Sequence, residues 1–277
     1  MPLINNISDS EYAEMKGINF SALKNFVTSP LHFKHFMDVK QEDTSAFKVG
    51  RAVHCACLQP SLYDKNFTVL LDVDRRTNAG KAAWAEFQQD NQGKTILNAK
   101  EFEIVANCQR ALWNNSYFKN VSSADDNVIF EAGGNAELFG SHIKGRIDLY
   151  NIDKNIVFDI KTINEPPTIS AIRKAIFSKK YYLQAYFYSH IVRENYGRLP
   201  TFIFGFVEKK NPNSVGLASV SGEVLNRAED DLKTILCRYE NCKHTDIWPG
   251  LNNEEIPTII NSFEYSVDSS SEEDDSD

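Results

Sequence analysis

Long apolar runs are missing from the sequence. Nothing in its 277 residues approaches the ~20 consecutive apolar residues of a membrane helix, so no membrane association is expected. The opening stretch MPLINNISDSEYAEMKG has no basic segment followed by an apolar core, and a secretory signal is not expected either. Cysteine is scarce: Cys55, Cys57, Cys108, Cys237 and Cys242 form an odd set with no pair of Cys-x-x-Cys motifs. That pattern argues against a disulfide framework and fits a reducing cytoplasm. Cys55 and Cys57 stand two apart in a helix-like stretch, point to different faces, and read as buried, inert thiols. An excess of positive charge is missing too, since the formal net charge is −8. Seven of the acids, however, fall in residues 264–277, where there is no lysine or arginine. The remainder is nearly neutral, and local basic patches for nucleic acid stay possible.

What is present is ordinary globular composition, 42% hydrophobic and 25% charged. Phe20, Leu23, Phe26 and Val27 form one helical stripe with Ser21 as its expected cap, and Pro30 starts a second short helix. Gly50 to Leu58, Lys81 to Asn91 and Ala99 to Asn114 read as further helices. From Asn127 the texture changes to alternating apolar and polar residues, with Gly133-Gly134 among the turn signals, which predicts a three-strand antiparallel meander ending in NIVFDIKT. A long helical region, 169–194, then leads to two strands, TFIFGFVEK and SVGLASV, and an amphipathic helix near 222–239. The expected organisation is one α/β domain over residues 1–263 and a disordered acidic tail over 264–277. That tail could serve solubility, attract a basic partner, or compete for a nucleic-acid channel.

The chemistry concentrates in Gly145-Arg-Ile-Asp148 and Asp159-Ile-Lys161. If their strands form a hairpin, Asp148 and Asp159 converge at one end of it, and Asp159 and Lys161, two apart on a strand, share a face. Two carboxylates and a lysine suit phosphodiester hydrolysis: hard oxygens hold Mg²⁺, and the lysine orients or deprotonates the attacking water and stabilises the charge building on the phosphate. Asp159 follows the apolar run Ile156-Val157-Phe158, where packing alone favours an apolar residue, so its charge needs a partner. Gln184 and Tyr188 lie one helical turn apart, as do Gly50 and His54, the glycine permitting close approach of another backbone and the imidazole a possible ligand. Arg75-Arg76, Arg146, Lys179-Lys180 and Lys209-Lys210 are candidate contacts to a phosphate backbone.

In this order the motifs resemble the PD-(D/E)XK nuclease superfamily, and within it the RecE-like (exonuclease VIII type) exonucleases of phages and prophages. The resemblance spans about residues 7–240 and rests on Ser21, Leu23-Lys24, Pro30 and Phe33, then Gly50 with His54, Gly145 with Asp148, Asp159 with Lys161, and Gln184 with Tyr188. The proline of the superfamily name is absent, since Ile147 precedes Asp148. The resemblance implies an α/β nuclease-like core, a central mixed β-sheet flanked by helices, with a helical N-terminal region. It implies metal ligation by His54, Asp148, Asp159 and the Ile160 carbonyl, with Mg²⁺ as cofactor and Mn²⁺ as substitute. Lys161 would position the attacking water, Gln184 and Tyr188 would support the site, and Glu131 is a candidate additional carboxylate. The implied activity is exonucleolytic degradation of linear double-stranded DNA from the 5′ end, leaving a 3′ single-stranded tail for recombination, by a homo-oligomeric ring (trimer or tetramer) beside an annealing protein of the RecT type. A RecB-like repair or CRISPR-adaptation nuclease is the alternative; Ser29 stands where such relatives carry a cluster cysteine, so no iron–sulfur cluster is expected. A catalytically silent DNA-binding module is the other alternative, against which Asp148, Asp159 and Lys161 are all retained.

Overall fold

The computed structural model describes residues 2–39, 44–123 and 127–251, so the acidic tail lies outside the described residues. The chain opens with a short helix, α1 (Asp9–Glu14), closed by a reciprocal cap between Ser8 and Glu11. A two-residue strand, β1 (Ile18–Asn19), runs into α2 (Phe20–Thr28) and α3 (Pro30–Asp38). Asn19, not Ser21, caps α2, its carboxamide accepting from Ala22 N–H at 2.8 Å; the helix begins two residues earlier than Ser21 would allow. Ser29 caps α3, and Pro30 takes the first helical position, where no N–H is required.

Helices α4 (Ser45–Leu58) and α5 (Pro60–Asn66) follow, then a small unit in which β2 (Phe67–Val69) and β3 (Thr95–Leu97) pair in parallel across α6 (Asn78–Asp90). Next come α7 (Ala99–Asn114), started by an Asn98–Glu101 capping box, and α8 (Ser116–Val121). The meander is β4 (Val128–Leu138), β5 (Ser141–Asn151) and β6 (Ile156–Ile163). Its first turn falls at Phe139-Gly140, both left-handed with φ 48° and 80°. Gly133-Gly134 is no turn but lies inside β4. A Cβ there would meet Ile7 Cδ1 at 2.4 Å or Leu3 Cδ2 at 2.1 Å, so the glycines make room for the N-terminal segment, which is bridged to Gly133 through Ile4. The long helical region is two helices, α9 (Ile169–Ser178) and α10 (Tyr181–Tyr196), broken where Lys180 adopts φ 61°. Strands β7 (Thr201–Glu208) and β8 (Val215–Ser219) and helix α11 (Gly222–Thr245) complete the described part. No helix among the described residues is long and apolar enough to cross a membrane.

The main sheet runs β1-β5-β6-β7-β8, with β4 on the other edge of β5. It is mixed, because β6 and β7 are parallel while β4–β5, β5–β6 and β7–β8 are antiparallel. Alternation along β7 divides the core: Phe202, Phe204 and Phe206 pack with α2, α10 and α11, while Ile203 and Val207 pack with α4 and α7 on the opposite face. Helices therefore flank both sides.

One detail of the pairing sets the site. Along the edge of β5 that faces β6, β1 pairs with Ile143 and Lys144, and β6 pairs with Leu149 to Asn151. Gly145 to Asp148 have no ladder partner on that edge. The two strands fork there, and the Gly-x-x-Asp motif occupies the opening.

Candidate active site at a fork between two strands

Asp148 and Asp159 would be the next pair after Leu149–Phe158, but the ladder stops before them. Two buried carboxylates side by side repel, and the backbone solves this by splaying. Asp148 Oδ2 instead accepts the Ile160 N–H at 2.7 Å, replacing the lost strand hydrogen bond. Its other oxygen lies 3.4 Å from Nδ1 of His54, which reaches in from α4. His54 Nε2 donates to the Ile160 carbonyl at 2.9 Å, so the two expected metal ligands are here hydrogen-bonded to each other. Burial opposes charge on the ring, yet the ionised Asp148 favours the protonated imidazole and pushes His54 up to about 9. Reciprocally, burial would raise Asp148, but His54, Lys161 and the Ile160 N–H hold it below the usual carboxylate range.

Asp159 is only 1% exposed. Its Oδ1 accepts from Nε2 of Gln184, on α10, at 3.2 Å. Its Oδ2 is buried and is met by the Lys161 ammonium at 2.7 Å. Burial, with the like charge of Asp148, pushes the Asp159 carboxyl up to about 6 despite that lysine. Burial would strip the proton from Lys161, but Asp159 and Asp148 outweigh it and keep the amine charged. A cationic Lys161 suits orientation and charge stabilisation better than proton abstraction.

Glu131 faces the same opening from β4. The ladder skips it, running from Phe130–Leu149 to Ala132–Ile147, and its backbone is left-handed at φ 43°. For a residue with a Cβ this costs about 1–2 kcal/mol, and the Ile7 N–H, bonded to the Glu131 carbonyl at 3.1 Å, helps hold it. Burial and the charge of Asp148 push Glu131 up to about 7. Ligand atoms of His54, Glu131 and Asp148 all lie within 4.8 Å of one another, a cluster that could hold a metal ion. Asp159 lies outside that group, so Glu131 joins the tight set more closely than the sequence suggested. Three carboxylates and one imidazole make a donor set that fits a hard divalent cation.

Two motif pairs have different explanations. Tyr188 lies against Gly145: a Cβ there would meet Tyr188 Cε1 at 3.0 Å and Ile191 Cδ1 at 2.9 Å, so the glycine of one motif accommodates the tyrosine of another. At Gly50 an added Cβ would meet nothing within 4 Å, so no described backbone makes the close approach expected there. Of the basic candidates, Arg146 pairs with Asp9 at 2.8 Å and lies over the Tyr12 ring, and Arg75 lies over Trp84. Sequence reasoning missed Tyr181, whose ring centroid is 4.6 Å from the Lys161 ammonium. Its signal was available, since residues 181, 184 and 188 form one helical stripe at i, i+3 and i+7. Asp9 and Tyr12 were missed too, and nothing local in their sequence marks them.

This geometry can be set beside known proteins. Residues 19–257 match the family described as a PDDEXK-like domain of unknown function (DUF3799). The chain belongs to that family. Among solved structures, a candidate exonuclease from Eubacterium rectale is similar over 96% of this chain and 99% of its own, with a TM-score of 0.65 and 15% identity, a likeness of fold. A phage-related exonuclease from Haemophilus somnus 129PT is similar over 61% of this chain and 84% of its own, with a TM-score of 0.37 and 11% identity. No curated protein matches the chain. The PD-(D/E)XK-type α/β core expected from the motifs is thus the fold of this protein.

Proposed function

We propose that the protein is a metal-dependent exodeoxyribonuclease that degrades linear double-stranded DNA. The observation that carries this reading is the fork itself: Asp148, Asp159 and Lys161 converge at a break in the ladder, with His54 and Glu131 completing a cation-binding donor set. His54, Glu131, Asp148 and Asp159 would hold the cation, Mg²⁺ with Mn²⁺ as substitute. When bound, such a cation neutralises phosphate charge and acidifies water.

The side chains supply the rest. Lys161, charged and 2.7 Å from Asp159, orients the attacking water and meets the charge that builds on the phosphate. Gln184 fixes the rotamer of Asp159 through its amide, and the Ile160 N–H fixes that of Asp148. Tyr188, seated on Gly145, braces the strand that carries Asp148. The finer reading follows the family resemblance: attack from the 5′ end, a 3′ tail for strand annealing beside a RecT-type protein, and a ring of three or four copies.

The test is digestion of linear duplex labelled separately at its 5′ and 3′ ends, in Mg²⁺ or EDTA, by wild type and Lys161→Ala. Metal-dependent loss of one strand from its 5′ end, absent in the variant, is the expected result. A folded wild type that binds duplex yet never cuts it would overturn the enzyme reading in favour of a silent DNA-binding module.

A further inference from the structure

Beside the fork, α2 and the start of α10 gather positive charge that the nuclease reading has not used. Lys24, half-buried on α2, places its ammonium 6.0 Å from the centroid of the Tyr181 ring, and Lys161 stands 4.6 Å from the same centroid. Two cations thus share one aromatic ring. Burial, then the like charges of Lys179 and Lys161, lower the pKa of Lys24, which places Lys179 in the same group. Among the described residues neither Lys24 nor Lys179 is paired with a carboxylate. Tyr181 is also the first residue of α10, whose cap, Lys180, supplies no side-chain hydrogen bond to the helix terminus.

Of these like charges only Lys161 has an acid beside it, so Lys24 and Lys179 repel it and each other, and an anion between them reverses the sign. An aromatic face and an uncapped helix N-terminus of 16 residues add to the same preference, the first by tolerating the cations and the second by presenting N–H groups. We propose that Lys24 and Lys179, with Tyr181 and the first turn of α10, form a phosphate-binding subsite that holds the DNA backbone next to the phosphate being cut. It rests on the nuclease reading, since Lys161 is shared between the subsite and the fork. The ligand is a phosphodiester of the bound strand, held through charge and without regard to base, as an enzyme that degrades any sequence requires.

The experiment compares full-length wild type with Lys24→Gln, Lys24→Arg, Lys179→Gln and Lys161→Ala. Binding of a fluorescent linear duplex is followed by anisotropy in EDTA over a range of salt, with inorganic phosphate as a competitor, and cleavage is followed in Mg²⁺. Lys24→Gln should bind about tenfold more weakly, and its log–log salt slope should shrink by about 0.9, one phosphate contact. Its KM should rise about tenfold with kcat changed less than about threefold, whereas Lys161→Ala should lose kcat. Lys24→Arg should recover the slope, and exposed Lys179→Gln should repeat the effect more weakly, deciding the matter should Lys24→Gln not fold. A merely structural Lys24 would change the melting temperature but not the slope. Slopes and KM unchanged in both glutamine variants, in a wild type that binds and cuts, would overturn the subsite and leave the nuclease standing. Competition by millimolar inorganic phosphate as effective as by unlabelled duplex would overturn the strand assignment in favour of a free-phosphate site. A wild type that neither binds nor cuts removes both.

Discussion

The two sides of the fork hold their aspartates differently. On the α4 side, Asp148 has a backbone N–H and the His54 ring as partners and stays ionised well below neutral pH. On the α10 side, Asp159 has one long amide hydrogen bond, the Lys161 ammonium 2.7 Å from its other oxygen, and a carboxyl pushed up to about 6. Both are buried aspartates, so the difference lies in the partners each one has and in the deeper burial of Asp159. Each side has its own cation, but only Asp148 also has a backbone N–H, and that extra donor to its charged form is what Asp159 lacks.

Asparagine at each position should separate the two. Both Asp148→Asn and Asp159→Asn should cut the rate of duplex cleavage about 10³-fold or more, since each removes charge from the reacting centre. Stability should divide them. Asp148→Asn leaves His54 without its counter-ion and should lower the free energy of unfolding by about 2–3 kcal/mol. Asp159→Asn leaves Lys161 without its nearest counter-ion but also removes a carboxylate that burial disfavours, so the two effects partly offset and the loss should be smaller, about 1 kcal/mol. Urea unfolding of both variants checks this, and equal losses would break the comparison.

Proton linkage sharpens the same contrast. The His54 pKa, raised from its ordinary 6.5 to about 9, contributes stability that is whole below pH 6.5 and is lost as pH rises through 9. Metal-free protein should therefore lose about 1–2 kcal/mol between pH 6.5 and 9, an effect moderated by the partial exposure of the ring. Melting curves across that window should slope downward in wild type and less steeply in His54→Gln, where only the titration of Glu131 near 7 remains. An unchanged slope in the variant would place the titrating group elsewhere.

How much of this was legible depended on whether the signal was local. The order of Asp148, Asp159, Lys161, Gln184 and Tyr188 could be read because each motif is a short spacing on one element. The β3-sized strands could not, since three residues carry no periodicity to detect, and neither could the break at Lys180, because a left-handed residue without glycine leaves no mark in composition. Gly133-Gly134 misled for a related reason: glycine signals a turn or a close approach alike, and here the approaching group was Leu3 and Ile7, some 130 residues away in the chain. Glu131 reaches the cluster through a backbone twist that alternation along β4 does not predict.

That twisted glutamate supplies a smaller test. Its carboxyl, pushed up to about 7, destabilises the metal-free protein whenever it ionises, because its pKa is raised above the unfolded value and the stability it contributes is lost as pH rises through 7. Glu131→Gln should thus raise unfolding free energy by about 1 kcal/mol at pH 8. It should also blunt the rise in melting temperature that Mg²⁺ gives wild type, since a ligand bound only to the folded state stabilises in proportion to its affinity. A variant stabilised without metal and less responsive to it has lost a ligand; one merely destabilised has lost a structural residue.

The smallest expected effects on cleavage come from the two motif glycines, one on each side. At Gly145 a methyl group meets Tyr188 and Ile191 near 3.0 Å, inside the range where a neighbour must yield, so Gly145→Ala should cost about 1–2 kcal/mol and slow cleavage by disturbing the strand beneath Asp148. At Gly50 the same methyl meets nothing, and the position lies within helix α4. Alanine is the better helix former there, so Gly50→Ala should stabilise the protein by about 0.5–1 kcal/mol. A glycine that weakens its own helix while leaving open space one turn before His54 is explained if that space is where the DNA passes. Gly50→Ala should then gain stability and yet show a raised KM for duplex. Added stability with unchanged KM would show that the α4 side admits substrate elsewhere and that Gly50 has no part in it.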